Sequence, residues 1–250
     1  MNLAGIELGR YRVERLLGEG GMGRVYLAAD TVLGRKVAIK VLRDDLGLTK
    51  DARSHLDAQL RIEARAVAAV SHPNVVVLHD MGDDPKVGLY LVFEYVSGES
   101  LRARISEGPL LLEDVARLAF DSALDAAHEA SVLHRDVKPE NIFLARIGST
   151  IGDFGITRIP DTSITKTGSG VVGTPAYAAP ETLRGPLREI DSRSDQFSLA
   201  ATLYEAVTGE RAFPGEDLLS VAAAIGASTP APIMRPEHPH ARPRSSVRSS

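Results

Sequence analysis

Residues 134–141 read HRDVKPEN, and twelve residues after Asn141 comes DFG at 153–155. The first run packs two basic residues, two acids, a proline and an amide into eight positions. A structural loop could hold them by chance, but the joint spacing of Asp136, Lys138, Asn141 and Asp153 argues for chemistry. Asn141 and Asp153 offer two oxygen donors, which suits a hard Mg²⁺ ion that keeps some waters and binds phosphate oxygens. Asp136 is a separate carboxylate, able to orient a hydroxyl and accept its proton. Lys138 can offset charge on a phosphoryl group in flight. The set fits phosphoryl transfer better than hydrolysis, and no nucleophile–base triad is visible elsewhere.

Working upstream, Lys40 lies in VAIK, inside an otherwise apolar strand pattern. A lysine among buried neighbours needs a counter-charge or a wet end; a snorkelling edge lysine is the plain alternative. The helical pattern near 51–71 supplies a partner. Leu56, Leu60, Val67 and Val70 share one face, and Glu63 falls on that face between Leu60 and Val67. An acid on an inward stripe is costly unless paired, so Lys40 and Glu63 are expected to couple across strand and helix.

Further upstream, Gly18-Glu19-Gly20-Gly21-Met22-Gly23 fits GxGxxG. Alone this is weak, because the same spacing opens dinucleotide-binding units. Here an alternating strand pattern, RVYLA, follows instead of a helix. The loop is therefore a hairpin flap whose glycines let backbone approach phosphate oxygens. An ordinary glycine-rich turn is the alternative. There is no GK[ST], which excludes a Walker-type loop.

The texture is strand-rich over about 11–93. Val37, Ile39 and Val41 take one side of a strand, with Ala38, Lys40 and Leu42 on the other; further strands are expected at 74–80 and 87–95. Helical periodicity covers about 111–130, 194–208 and 216–226. The reading is a small sheet-plus-helix lobe, a hinge, and a larger helical lobe. Composition agrees: of 250 residues, 44% are hydrophobic and 25% charged, which affords a core and excludes global disorder. Zero cysteines remove disulfides, zinc thiolates and a cysteine nucleophile. A net charge of −4 gives no basic field for nucleic acid. No apolar run spans a bilayer and no signal-peptide pattern opens the chain, so the expected compartment is cytoplasmic. Residues 230–250 hold five Pro, four Ser and four Arg against one Glu, which reads as a disordered basic tail.

These motifs, taken in order, resemble the eukaryotic-type (Hanks-type) Ser/Thr protein kinases of bacteria. They are LGEGGMGRV at 17–25, VAIK at 37–40, Glu63, HRDVKPEN, DFG and AAPE at 178–181. The resemblance implies an α+β, bilobal protein kinase-like fold over 11–228. A small antiparallel-sheet N-lobe would cover 11–94, a hinge 95–98 and a mainly helical C-lobe 99–228, with the tail at 229–250. It implies ATP and Mg²⁺. Leu17, Gly18, Glu19, Gly20, Gly21, Met22 and Gly23 would bind the cofactor, with Gly18, Gly20 and Gly23 over the phosphates, and Val25 and Ala38 would sandwich the adenine. Phe93 would guard the back of the adenine pocket, and Glu94 to Val96 would supply hinge bonds. Lys40 would hold phosphates and Glu63 would hold Lys40. Asp136 would be the catalytic base, with Lys138 beside it, and Asn141 and Asp153 the Mg²⁺ ligands. Lys138 in KPEN and Thr174 in GTP resemble the Ser/Thr-specific class. Arg135 would read a phosphate on the activation segment, with Thr165 and Thr167 the expected acceptors.

The chain also departs from the family. Asn141 to Asp153 is about one residue short, and Ala200 replaces a usual glycine in the helix that carries Asp195. The C-lobe is expected to lack the family's last helices, among them one with an arginine that in the family pairs with the glutamate at the position of Glu181. That loss would expose apolar surface, lower stability and call for a partner over that face. Partners are thus expected to be Ser/Thr protein substrates and such a covering protein, with no nucleic acid and no membrane span. A pseudokinase or nucleotide-binding scaffold without turnover is the alternative.

Overall fold

The computed structural model describes residues 3–20, 23–42, 49–115, 123–145, 148–153, 175–184, 190–215, 218–227 and 230. Alternating apolar residues open the chain as β1 (Glu7–Leu8), β2 (Tyr11–Glu19), β3 (Gly23–Asp30) and β4 (Arg35–Leu42), followed after helix α1 (Lys50–Ala68) by β5 (Leu78–Asp84) and β6 (Gly88–Glu94). They form one antiparallel sheet in the order β1-β2-β3-β4-β6-β5.

The register explains what each face does. Directly opposed residues share a face. Val25 opposes Lys40, Lys40 opposes Leu91, and Ala38 opposes Phe93. One face therefore carries Val25, Ala38, Lys40, Leu91 and Phe93. The other carries Tyr26, Ala28, Val37, Ile39, Val41 and Val92, which bury in a separate core with Tyr11 and Leu8. The expected split of β4 into two faces is what the sheet shows. An added Cβ at Gly23 would stand 2.8 Å from the Val41 carbonyl oxygen. The last glycine of the flap is thus required by close strand approach, a reason the motif did not reveal.

Helix α1 starts at Thr49, whose hydroxyl accepts from the Ala52 N–H at 3.2 Å. It buries Leu56, Leu60, Ala64 and Val67 against the sheet face that bears Lys40. The strand expected at 74–80 begins only at Leu78. Ahead of it the chain crosses to another sheet: the Val76 N–H donates to the Ile151 carbonyl (2.9 Å), and the Ile151 N–H to the Asn74 carbonyl (2.8 Å). These bonds pull 74–76 out of the first sheet and tie it to the strand that leads into Asp153.

Downstream come β7 (Gly98–Ser100), helices α2 (Leu101–Ser106) and α3 (Leu124–Glu129), and a one-turn 3₁₀ helix at Pro139–Asn141. The hairpin β8 (Ile142–Ala145) and β9 (Gly148–Ile151) joins β7 in a three-stranded sheet. A second 3₁₀ turn (Pro175–Tyr177) leads to α4 (Pro180–Arg184), α5 (Ser192–Thr208) and α6 (Leu218–Ala227). Asp191 caps α5 by accepting from the Arg193 N–H at 2.9 Å, and Gly209 ends it at φ 76, the left-handed stop that glycine takes without strain. The sheet-rich part and the helical part share one apolar core that runs from Leu56 and Leu60 through Leu101, Leu124 and Ile142 to Ala206.

Glu181 Oε1 accepts from the Ser194 hydroxyl of α5, and its charge acts on Arg193 of the same helix. Among the described residues no helix is long and apolar enough to cross a membrane.

Candidate active site

The 134–141 loop is held from beneath. Asp195, buried in the first turn of α5, accepts from the His134 N–H (Oδ2, 2.8 Å) and the Arg135 N–H (Oδ1, 2.7 Å); His128 Nε2 also meets Oδ2 at 2.8 Å. This arrangement anchors the loop backbone to α5. It lets Arg135 sit at φ 62, a left-handed conformation that an arginine rarely adopts. Asp153 is left-handed too, at φ 57. Each such residue costs on the order of 1–3 kcal/mol and persists only where its surroundings hold it.

His134 is fully buried. Its Nε2 lies 3.0 Å from the Gly152 carbonyl oxygen and its Nδ1 accepts from the Asp136 N–H at 3.2 Å. One ring nitrogen must donate and the other accept, which selects the neutral Nε2–H tautomer. Burial agrees, pushing the imidazole below its usual 6.5 despite nearby Asp195 and Asp136. His134 is therefore a spacer that joins the loop to Gly152, the residue before Asp153.

The expected reacting groups meet here. Asp136 Oδ2 accepts from Lys138 Nζ at 2.7 Å and from Asn141 Nδ2 at 3.1 Å, and Asn141 Nδ2 also donates to the Asp136 carbonyl at 2.8 Å. Two donors fix the carboxylate's orientation. Because Nδ2 is turned into the loop, the acceptor oxygen of Asn141 is the atom suited to a cation. Lys40 Nζ bonds Asp153 Oδ1 across the two sheets. Burial would raise the Asp153 carboxyl, but the charge and hydrogen bond of Lys40, together with His134 and Lys138, outweigh this and hold it below the usual range.

The Lys40–Glu63 couple is not what the structure shows. Glu63 Oε1 accepts from Arg135 Nη1 at 3.2 Å, and Glu63 Oε2 is buried without a hydrogen-bond partner. Burial raises the Glu63 carboxyl and Arg135 lowers it less. The reason is reach. Lys40 is served from Asp153 below it, while the guanidinium of Arg135 extends to the helix face that Glu63 occupies. The inward placement of Glu63 is right; its partner differs.

In the β2–β3 hairpin, Gly18 opposes Val25 on the face that bears Lys40, and Glu19 opposes Arg24 on the other face, where the two side chains form a salt bridge at 3.1 Å. An added Cβ would meet nothing within 4 Å at Gly18, leaving open space beside the flap. Leu17 is exposed, as is its neighbour Leu16. The Glu94 N–H donates to the Val77 carbonyl at 2.8 Å, so that amide belongs to the fold; Val96 packs at the edge of the core. Gly21, Met22, Phe154, Gly155, Thr165, Thr167, Thr174 and the residues after 230 lie outside the described residues.

Four residues that sequence reasoning left without a role form a second cluster. Arg102 of α2 donates from Nε to Glu140 (2.8 Å), from Nη1 to Glu205 Oε1 (2.8 Å), and from Nη2 to Glu205 Oε2 (3.3 Å) and the Tyr177 hydroxyl. The Tyr177 hydroxyl in turn donates to Glu205 Oε2. Glu140 lies within the loop motif, and Glu205 is an acid inside the mostly apolar stretch 199–207 of α5. The latter was the available signal.

Residues 11–246 match the family described as "Protein kinase domain". The chain is 40% identical over 229 residues to a probable serine/threonine-protein kinase PknB of Bifidobacterium longum, covering 86% of this chain and 32% of that protein. It is 42% identical over 223 residues to serine/threonine-protein kinase PknB of Mycobacterium tuberculosis (85% and 34%). With serine/threonine-protein kinase PrkC of Bacillus subtilis the identity is 38% over 219 residues (86% and 33%). The chain spans about one third of the length of these relatives.

Proposed function

Because the chain belongs to the protein kinase domain family, we propose that it transfers the γ-phosphoryl group of ATP to Ser and Thr hydroxyls of proteins, with Mg²⁺. The observation that supports this best is the convergence on Asp136. Its carboxylate is oriented by Lys138 and Asn141 beside the Lys40–Asp153 pair.

The donor set fits the group. Asn141 and Asp153 would hold Mg²⁺ through oxygen, and two protein ligands suffice when phosphates and waters complete an octahedron. The open side of Gly18 and the face bearing Val25, Ala38 and Lys40 would take the nucleotide, with Leu17, Glu19, Gly20 and Gly23 in the flap and Glu94 and Val96 at the hinge. Bound ATP·Mg²⁺ supplies the electrophilic phosphorus and a neutralised leaving group. Asp136 orients the acceptor hydroxyl and takes its proton as the new O–P bond forms and the bond to ADP breaks. Lys138 offsets charge on the transferring group. Lys40 steadies the phosphates, and Glu63 takes Lys40 after leaving Arg135. Thr165 and Thr167 are the proposed autophosphorylation sites. The division into an N-lobe (11–94), hinge (95–98), C-lobe (99–228) and tail (229–250) is part of the same reading, as are protein substrates and a cytoplasmic setting.

The test is a radiolabelled ATP assay with a generic basic protein, comparing wild type with Asp136→Asn. Transfer by wild type and a loss of about 10²–10⁴-fold in the variant is the expected result. Nucleotide-induced thermal stabilisation without any transfer by wild type would instead favour a nucleotide-binding scaffold.

A further inference from the structure

Arg102 is half-buried and bridges four pieces of the helical part: its own α2, the 3₁₀ turn that carries Glu140, the 3₁₀ turn that carries Tyr177, and α5 with Glu205. Such density of charge-assisted bonds has a geometric purpose. Planar guanidinium forks fix their partners in direction as well as distance. Glu140 and Asn141 belong to the same three-residue turn, Pro139–Asn141. Pinning Glu140 therefore pins Asn141, whose amide sets the orientation of Asp136.

The same guanidinium holds Tyr177, which stands three residues past position 174 and just ahead of α4. Tyr177 is buried, and its hydroxyl completes a closed ring with Arg102 and Glu205. None of these four residues belongs to the six-stranded sheet that presents Lys40. The cluster thus acts on the Asp136 side of the site, where an acceptor hydroxyl must be placed, and not on the Lys40 side.

We propose that Arg102 is a positioning residue for the acceptor: it locks the Tyr177 turn to the Glu140–Asn141 turn, so that Asp136 meets the hydroxyl of a docked protein in productive geometry. The inference rests on the phosphotransfer reading above. It assigns to Arg102 a role in acceptor use distinct from nucleotide binding.

Electrostatics favours a permanent lock. Burial disfavours the guanidinium's charge, but the bonds to Glu205 and Glu140 raise its affinity for the proton well above the ordinary value. Burial and the bond to Glu205 likewise keep the Tyr177 phenol protonated. Neither the guanidinium nor the phenol changes charge near neutral pH, so neither makes the lock a pH switch.

The experiment compares the wild-type chain with Arg102→Met and Arg102→Lys. Steady-state kinetics use myelin basic protein as acceptor, and calorimetry measures ATP binding. Misplacing a reacting group by about 1 Å costs on the order of 100-fold, so Arg102→Met is expected to lose about 10–100-fold in acceptor kcat/KM. Its ATP Kd should stay within about twofold of wild type. Arg102→Lys keeps the charge but not the fork and should fall between; it also decides the matter if the Met variant does not fold. Wild-type acceptor kinetics in Arg102→Met overturn the proposal. So do equal losses in ATP binding and acceptor use in either variant, which would make Arg102 a purely structural residue. A wild-type chain that binds ATP yet transfers nothing overturns the phosphotransfer reading and this role with it. Wild-type turnover with indifferent Arg102 variants overturns only the role.

Discussion

Arg102 and Arg135 both extend a guanidinium to a glutamate, yet among the described residues Arg102 makes four side-chain bonds to three residues while Arg135 makes one, at 3.2 Å, to Glu63. Glu205 has both carboxylate oxygens engaged; Glu63 has one buried oxygen with no partner. The difference follows from where the elements meet. Glu205, Tyr177 and Arg102 lie within the helical part, where burial is shared and a closed ring can form. Glu63 and Arg135 face each other between α1 and the loop. There one poorly satisfied contact costs little to exchange. The first arrangement is a closed ring of bonds and the second a single contact.

Removing the support under Arg135 should have the largest effect. Asp195 receives two backbone N–H groups and faces His128, and its side chain is 2% exposed. Asp195→Ala would orphan those donors and release the left-handed Arg135. A loss of about 3–5 kcal/mol is expected from breaking such a buried charge network. Urea titration reads it directly. A loss below about 1 kcal/mol would show that the strained loop does not depend on this carboxylate.

Tyr177→Phe probes the closed ring. The phenol accepts one bond and donates another from a buried position. Its deletion should cost about 1–2 kcal/mol, a fall in Tm of roughly 2–8 °C for a chain of this size. An unchanged Tm would mean that the ring adds no stability and that its bonds serve geometry alone.

Most of this contrast was not legible in the sequence. Strand alternation gave the two faces of β4, and the apolar stripe placed Glu63 inward, because side-chain period fixes facing. Motif spacing grouped Asp136, Lys138, Asn141 and Asp153; the structure bonds the first three to one another and Asp153 to Lys40. Partner choice was different. Which cation meets Glu63 depends on how α1 sits against the 134–141 loop, a matter of tertiary packing between residues 72 positions apart. The strand start at Leu78 was missed for a similar reason: 74–76 has strand-like residues, but their bonds go to Ile151. Arg102 was invisible because an arginine early in a helix looks like a solvated charge until Glu205 is seen opposite it.

His134 offers a smaller test of the loop. Its folded-state value lies below the unfolded 6.5. Between those two values the unfolded chain binds the extra proton, so stability rises with pH there and falls on acidification. The slope cannot exceed about 1.4 kcal/mol per pH unit for one proton. Denaturant titrations from pH 7 downward should show this decline beginning near 6.5. NMR of the folded imidazole should show it neutral, with the proton on Nε2, through the same range; a charged ring at pH 6.5 would overturn the tautomer assignment.

The smallest effect should have the opposite sign. Glu63→Gln removes a buried charge whose second oxygen has no partner. The side chain keeps 27% exposure, which moderates the gain, so stability should rise by no more than about 1 kcal/mol while phosphotransfer falls. Acid should erase that gain. The Glu63 carboxyl is raised above its usual 4.5 by burial. The folded wild type therefore takes up its proton before the unfolded chain does, and below 4.5 the protonated Glu63 carboxyl and the variant's neutral amide differ little. The difference in unfolding free energy between variant and wild type should be greatest near neutral pH and shrink as pH falls through the folded-state value. Using the difference cancels every other titrating group common to both chains. A difference that stayed constant with pH would mean that Glu63 carries no penalty for its burial, and that the contact with Arg135 is as settled as the one that holds Arg102.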